Sequence, residues 1–296
     1  KNFKFIIDKL KQKIHLFYWK KKIANFQTPI KKKIFSSQNL YVYGSDEIWN
    51  FSSKIFDFEP HFYGESNPNV KIAYGCSIGN ANLREISNKN YKLIKKNLKR
   101  FKSISVRDEN SFNFIKKLTN LKPKIVIDPC FLSKPKIFDG NRSRFNKIFY
   151  KNKYILVYGN YFNSSEIKKL ISFSKKKKLI IISIYFVNKW ADHNVINVNP
   201  NDLIFFIKNS KYVITSMFHG VMLSYKYKKQ FWYSVDPYRE NKLGFFLNKL
   251  DLKKQHIKYI GSSKIKYSLK SSVLSKWIKS SKNFLKINLK YKKTFF

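Results

Sequence analysis

The chain has 296 residues, with 61 Lys or Arg against 17 Asp or Glu, a formal net charge of +44 and 18% aromatic residues. Disordered chains are charged and poor in aromatics, so this composition excludes disorder, and the length suits about two domains of the usual ~150 residues. Only six of the basic residues are arginines (Arg84, Arg100, Arg107, Arg142, Arg144 and Arg239), and the lysines are spread among Phe, Ile, Asn and Tyr. That pattern reads as a solvated surface rather than a nucleic-acid face, which would gather arginines for phosphate and base contacts.

In chain order, residues 1–22 are interrupted by lysine every few positions and hold no signal-peptide core. The chain opens on Lys1 rather than Met, which suggests a start inside a longer product. Short apolar runs predict strands over 41–43, 71–74, 103–106 and 124–127, and helical spacing predicts helices over 88–101 and 109–118. The polar, basic stretch 133–152, with Pro135 and Gly140, is the expected linker. A strand over 154–158 follows, then a helix opened by Asn163 and Glu166 in capping-box spacing. The Ile-rich run 179–186 reads as a strand buried on both faces, and the longest apolar stretch, 179–187, is far short of the ~20 residues of a membrane helix. Pro200 and Asp202 open a helix through Ile207. Strands at 212–215 and 231–235 enclose a helix at 221–227, and helices at 241–250 and 271–285 close the chain.

Alternating strands and helices predict an α/β fold of parallel sheets covered by helices, arranged as two Rossmann-like domains, 1–150 and 151–296, facing one cleft. Ligands of such sheets bind beyond the carboxyl ends of the strands. Five segments there run from an apolar strand into small or polar residues: 42–50, 72–79, 104–108, 126–130 and 213–220. In the last, His219 and Gly220 open a helix, whose start suits an anion, and a histidine there can exchange protons near neutral pH; it can equally be a mere cap. Arg107 ends a strand and reads either as a fork for phosphate or carboxylate or as the partner of Asp108 or Glu109. Ser45 and Asp46 line the cleft or, for Asp46, cap a short helix through Trp49. Ser77 and Gly79 read as a plain turn or as cleft wall, and Asp128-Pro129 as a turn. Cys76 and Cys130 fit no CxxC pattern, and His15, His61, His193 and His256 show no ligand spacing, so no metal site is expected.

Taken together, the segments Gly-Ser-Asp-Glu-Ile-Trp-Asn at 44–50, Tyr-Gly-Cys-Ser-Ile-Gly at 74–79, Ser-Val-Arg-Asp at 105–108, Asp-Pro at 128–129 and Ser-Met-Phe-His-Gly at 216–220 resemble the polysaccharide pyruvyl transferase family. The resemblance covers roughly 38–255, with the stretch from Arg239 to Leu252 resembling the family's closing pattern. It implies a GT-B-like pair of Rossmann-like domains, the first incomplete because the family's opening strand and Asn-x-Gly loop are absent. It implies transfer of pyruvyl from phosphoenolpyruvate to a sugar of a cell-surface polysaccharide or a lipid-linked precursor, as a ketal, with no cofactor. By position, Arg107 matches the family's anion-binding arginine and His219 its key histidine. Ser45, Asp46, Ser77, Ser216 and Gly220 are expected to bind substrate, with Arg239 as a second cation. Two positions depart from the pattern: Met217 where some members carry arginine, and Glu47 where the family has glutamine. A cytoplasmic enzyme, touching an anionic membrane surface peripherally and binding no nucleic acid, is the expected setting. The competing readings are a nucleotide-sugar glycosyltransferase and a non-catalytic basic protein that binds glycan or nucleic acid.

Overall fold

The computed structural model describes residues 7, 9–10, 12–14, 40–53, 58–132, 143, 145, 153–235 and 240–289. The expected linker, apart from Ser143 and Phe145, lies outside the described residues, as does Arg239. The fold is α/β with two parallel sheets.

The first sheet joins β1 (Tyr41–Tyr43), β2 (Lys71–Cys76), β3 (Ser103–Val106) and β4 (Lys124–Ile125) in the order β1-β2-β3-β4. Every residue of β2 is buried, as in a central strand covered on both faces. The helices α1 (Asn88–Leu98) and α2 (Glu109–Thr119) start at Ser87 and Asp108, whose side chains accept from backbone amides in the first turn. Trp49, Ile78, Ile94, Leu98, Val106, Phe114 and Ile115 form the core beneath them. Lys71 is buried at the start of β2, with Nζ donating to the Asn67 and Asn69 carbonyls at 2.6 and 3.2 Å. Burial lowers its pKa, because the charged form loses water.

The second sheet joins β5 (Tyr154–Tyr158), β6 (Ile180–Ile184), β7 (His193–Val195), β8 (Tyr212–Thr215) and β9 (Phe231–Tyr233) in the order β7-β6-β5-β8-β9. Its helices are α3 (Ser164–Lys177), α4 (Pro200–Asn209) and α5 (Phe218–Lys226). The capping box of Asn163 and Glu166 is present, and a second one at Asn199 and Asp202 opens α4. Ile155, Val157, Leu170, Phe173, Ile214 and Trp232 build the core.

Two further helices, α6 (Glu240–Lys249) and α7 (Ser271–Leu289), come next in sequence. They do not join the second sheet. The chain divides into one unit of Ile30–Ser133, Pro237–Leu250 and Ser268–Phe296, and another of Lys1–Pro29, Lys134–Asp236 and Asp251–Tyr267. Where the sequence reading breaks the chain once, at 150, the chain returns twice to the first sheet. The buried stripe of α7, Trp277, Ser281 and Phe284, explains the return. Trp277 Nε1 donates to the Ile125 carbonyl at 3.4 Å, Ile127 N donates to Ser281 Oγ at 2.9 Å, and Phe284 meets the Tyr74 ring. The same contact shortens β4. Val126 N still bonds to Val106 O, but at Ile127 the ladder is taken over by the helix side chain. Among the described residues no helix is long and apolar enough to cross a membrane.

Candidate functional site

The strand order β7-β6-β5-β8-β9 reverses direction between β5 and β8. In parallel sheets of this kind, ligands bind beyond the carboxyl ends of the strands at such a reversal. The residues at that point are Tyr158-Gly159 and Thr215-Ser216. Thr215 Oγ1 donates to Tyr158 O at 2.6 Å and accepts from Met217 N at 3.0 Å, tying the two strand ends to the start of α5. Ser216 N donates to Tyr158 O at 3.2 Å, and Ser216 Oγ accepts from Tyr161 N at 3.2 Å. Gly159, at φ +143°, has no room for a side chain, because a Cβ would overlap Ser216. Asn188 closes the other side, its Nδ2 donating to Gly159 O and Ser183 Oγ at 2.9 Å each.

His219 is the second residue of α5 and is exposed, its ring edge-on to Phe218 at 5.3 Å between centroids. The residue at the N-cap is Met217, so capping is not the histidine's role. A thioether cannot cap as Ser87, Asp108, Asn163 and Asn199 do for their helices. Gly220 lies flat against Thr215, where a Cβ would overlap Oγ1. Glycine here lets the helix start within touching distance of the strand end.

At the end of β9, Ser234 Oγ donates to the Glu166 carboxylate at 3.0 Å, and that carboxylate also accepts from Asn163 N. The start of α3 therefore already holds a negative group of its own. His256, whose ring meets Tyr233 at 5.5 Å, lies close enough to feel Glu166. Burial lowers the His256 pKa below its usual value, opposed by Glu166 and reinforced by Lys258 and Lys169.

In the other unit, the carboxyl ends of β2 and β3 are shaped by a bulge. The register shifts between Ala73 and Cys76, with Gly75 at φ +62°. The Ser105 hydroxyl fills the gap, accepting from Gly75 N at 3.2 Å and donating to Ala73 O at 2.9 Å. A bulge re-aims the residues on its carboxyl side. Here Cys76 forms a bridge to Asp46, and Ser77 N donates to Asp46 O at 2.9 Å. Arg107, with a side chain only 3% exposed, lies between two carboxylates: Nη2 pairs with Asp46 Oδ1 at 2.5 Å and Nη1 with Asp128 Oδ2 at 3.3 Å. Asp128 is buried, whereas the Asp46 side chain is 62% exposed. The carboxylates on Arg107 are thus the ones that other strand ends bring, not the adjacent Asp108 or Glu109. Asp108 is engaged elsewhere, accepting from Ser77 Oγ at 2.6 Å and Ser111 N at 2.8 Å.

Of the remaining expected residues, Ser45 sits in the turn with Asp46, and no helix runs from there through Trp49. Ser77 is fully buried and also accepts from Gly79 N, so its hydroxyl shapes the turn from inside. Asp128 does two things at once, capping the turn Pro129–Phe131 through Cys130 N and holding Arg107. Sequence reasoning misses that second role; its one signal is a carboxylate at the end of the strand next to the arginine's own. Cys76 is buried and burial pushes its thiol far above the usual range, which keeps it an inert thiol. Among the described residues no three His, Cys, Asp or Glu side chains gather as a metal site requires.

A sequence model of the polysaccharide pyruvyl transferase family matches residues 1–235. No curated protein matches. Among solved structures, the chain is similar to a proposed UDP-N-acetylglucosamine 2-epimerase from Listeria monocytogenes, with 11% identity and a TM-score of 0.40, over 66% of this chain and 63% of that one. It thus spans less than two thirds of that protein. It is also similar to the wall teichoic acid polymerase TagF, with 9% identity and a TM-score of 0.36, over 97% of this chain and 93% of that one.

Proposed function

The chain belongs to the polysaccharide pyruvyl transferase family, and on that premise we propose that it moves the pyruvyl group of phosphoenolpyruvate onto two hydroxyls of one sugar, closing a cyclic ketal and releasing phosphate. The observation that carries the reading is the family match over 1–235, which takes in both Arg107 and His219.

The chemistry balances without redox. A sugar hydroxyl oxygen bonds to C2 of phosphoenolpyruvate, and a proton is added at C3, which becomes the methyl group. The hydroxyl's own proton is released in the same addition. The carbon–oxygen bond to phosphate then breaks, its electron pair leaving with phosphate. The second hydroxyl attacks the oxocarbenium centre and gives up its proton. The steps call for a group that carries a proton and fixed positive charge for a trianionic donor. His219, exposed at the start of α5, is assigned the proton transfer. Arg107, already oriented by Asp128, is assigned the donor anion. The start of α5 adds its dipole for the phosphate, close to Ser216 and Gly220. The acceptor is a sugar of a polysaccharide or of its lipid-linked precursor, and the high positive charge favours approach of the anionic donor.

The test is to incubate the full-length protein with phosphoenolpyruvate and a panel of glycans and lipid-linked sugars, following phosphate release and the mass of the glycan. The reading expects phosphate and ketal in equal amounts. Release of nucleotide from sugar nucleotides, with no ketal from phosphoenolpyruvate, would overturn it.

A further inference from the structure

From Leu252 to Phe296 the sequence holds 13 lysines and no Asp, Glu or Arg. The long helix of that stretch is α7, 19 residues from Ser271 to Leu289. Its buried stripe, Trp277, Ser281 and Phe284, packs on the first sheet. Lys276, Lys279, Lys282 and Lys286 are exposed. At about 100° per residue they fill an arc of about 120° centred roughly opposite the buried stripe, along about 15 Å of helix. Among the described residues no carboxylate pairs with any of the four. Ile287 and Leu289, 60% and 48% exposed, stand one on each side of the lysine arc in the last turn. We infer that this face of α7 docks on a bilayer surface rich in anionic lipid, with the lysines among the headgroups and Ile287 and Leu289 reaching the acyl boundary.

The pattern favours a bilayer over other polyanions. A free amphipathic helix seats its apolar face in the membrane, but the apolar face of α7 is taken up by the sheet. Attraction therefore falls to charge, and a row of lysines along a helix suits a flat anionic surface. Their long apolar stems let the ammonium groups reach lipid phosphates while the helix lies flat. A nucleic-acid face favours arginine forks, and residues 252–296 contain no arginine. Exposed Ile and Leu beside the charges gain nothing from a phosphate backbone, whereas at the headgroup boundary they leave water. The inference stands apart from the pyruvyl-transfer reading, since docking needs no turnover. It bears on the acceptor side of that reading only: a protein held at a bilayer meets a lipid-linked sugar where that sugar resides.

The test is co-sedimentation of the full chain with vesicles of phosphatidylcholine alone and of phosphatidylcholine mixed with phosphatidylglycerol, with a short DNA duplex as the competing polyanion. The α7 variant is K276Q/K279Q/K282Q/K286Q. A control, K168Q/K169Q/K176Q/K177Q, removes the same charge from exposed lysines of α3. The wild type is expected to bind the anionic vesicles and not the neutral ones, and to be released by salt. The α7 variant is expected to bind on the order of a hundredfold more weakly, at about fivefold per lysine near an anionic surface, and the control to lose far less. I287S/L289S should weaken vesicle binding and leave duplex binding unchanged. All these side chains are exposed, so normal folding is expected, and melting curves check it. Equal loss in the control overturns the inference, because total charge rather than this face would then bind. An α7 variant that sediments like wild type overturns it, as does one that loses the duplex and keeps the vesicles. I287S/L289S binding vesicles like wild type overturns the seating of the apolar pair. Pyruvyl transfer to a soluble glycan is expected to be unchanged in the α7 variant; a wild type that docks but transfers nothing refutes the function and leaves the docking standing.

Discussion

Replacing Gly220 with alanine tests the link between packing and chemistry at the start of α5. The added methyl would overlap Thr215 Oγ1 and come within 2.8 Å of Thr215 Cβ. Thr215 cannot swing aside, because it is fully buried, β-branched and bonded through Oγ1 to Tyr158 O and Met217 N. Relief requires the helix start and the strand end to separate by about 1 Å, and overpacking of this kind costs about 1–3 kcal/mol. His219 is the preceding residue, so it moves with the helix start. A misplacement of about 1 Å at a reacting group costs on the order of a hundredfold in rate. Urea denaturation gives the stability term, and kcat with phosphoenolpyruvate and matched acceptor gives the chemical one. Adding Thr215→Ser should recover little, since the hydroxyl remains. Adding Thr215→Ala should recover much of the overpacking term, although it also sacrifices the hydroxyl's two bonds. A G220A protein within about 0.5 kcal/mol of wild type, with unchanged kcat, would refute the reasoning.

Other consequences arise from the same contacts. Asp128→Asn should destabilise by about 2–3 kcal/mol in urea melts, below the ~3–5 kcal/mol of a fully broken buried pair because Asp46 remains on Arg107; a double-mutant cycle with Arg107→Met showing coupling under about 0.5 kcal/mol would contradict the pairing. His256 titrates lower in the fold than in the unfolded chain, so its contribution is present above pH 6.5, the ordinary value, and is lost as pH falls below it. His256→Gln should flatten the stability profile on that acid side, and an unchanged slope would count against the assignment. His219→Ala should lower kcat by about a hundred- to ten-thousandfold, the usual share of acid–base catalysis, with melting unchanged because the side chain is exposed; retention of wild-type kcat would remove His219 from proton transfer.

The alternation of strand and helix was legible in the sequence because apolar runs of strand length alternate with amphipathic ones. β7 was not, since His193-Asn194-Val195 is a polar edge strand with no apolar run to mark it. The start of α5 lies three residues before the expected 221, with Phe218 buried in its first turn. The destination of α7 was equally hidden. Its stripe of Trp277, Ser281 and Phe284 states which face is buried, but not against which sheet. The strand-end segments themselves could be found from composition at the ends of apolar runs. How they join could not. Asp46 reaches Arg107 only because a bulge at Gly75 bridges residue 46 to Cys76, and nothing local in either segment signals that register.

The most direct test of pyruvyl transfer is to run the reaction with phosphoenolpyruvate and an accepting glycan in heavy water, and to examine the glycan product by mass spectrometry and proton NMR. The account predicts a pyruvate ketal on the sugar whose methyl group has gained a single deuterium at the former C3, with one phosphate released per ketal. Phosphate released without a ketal, or a ketal whose methyl carries no deuterium, would contradict it.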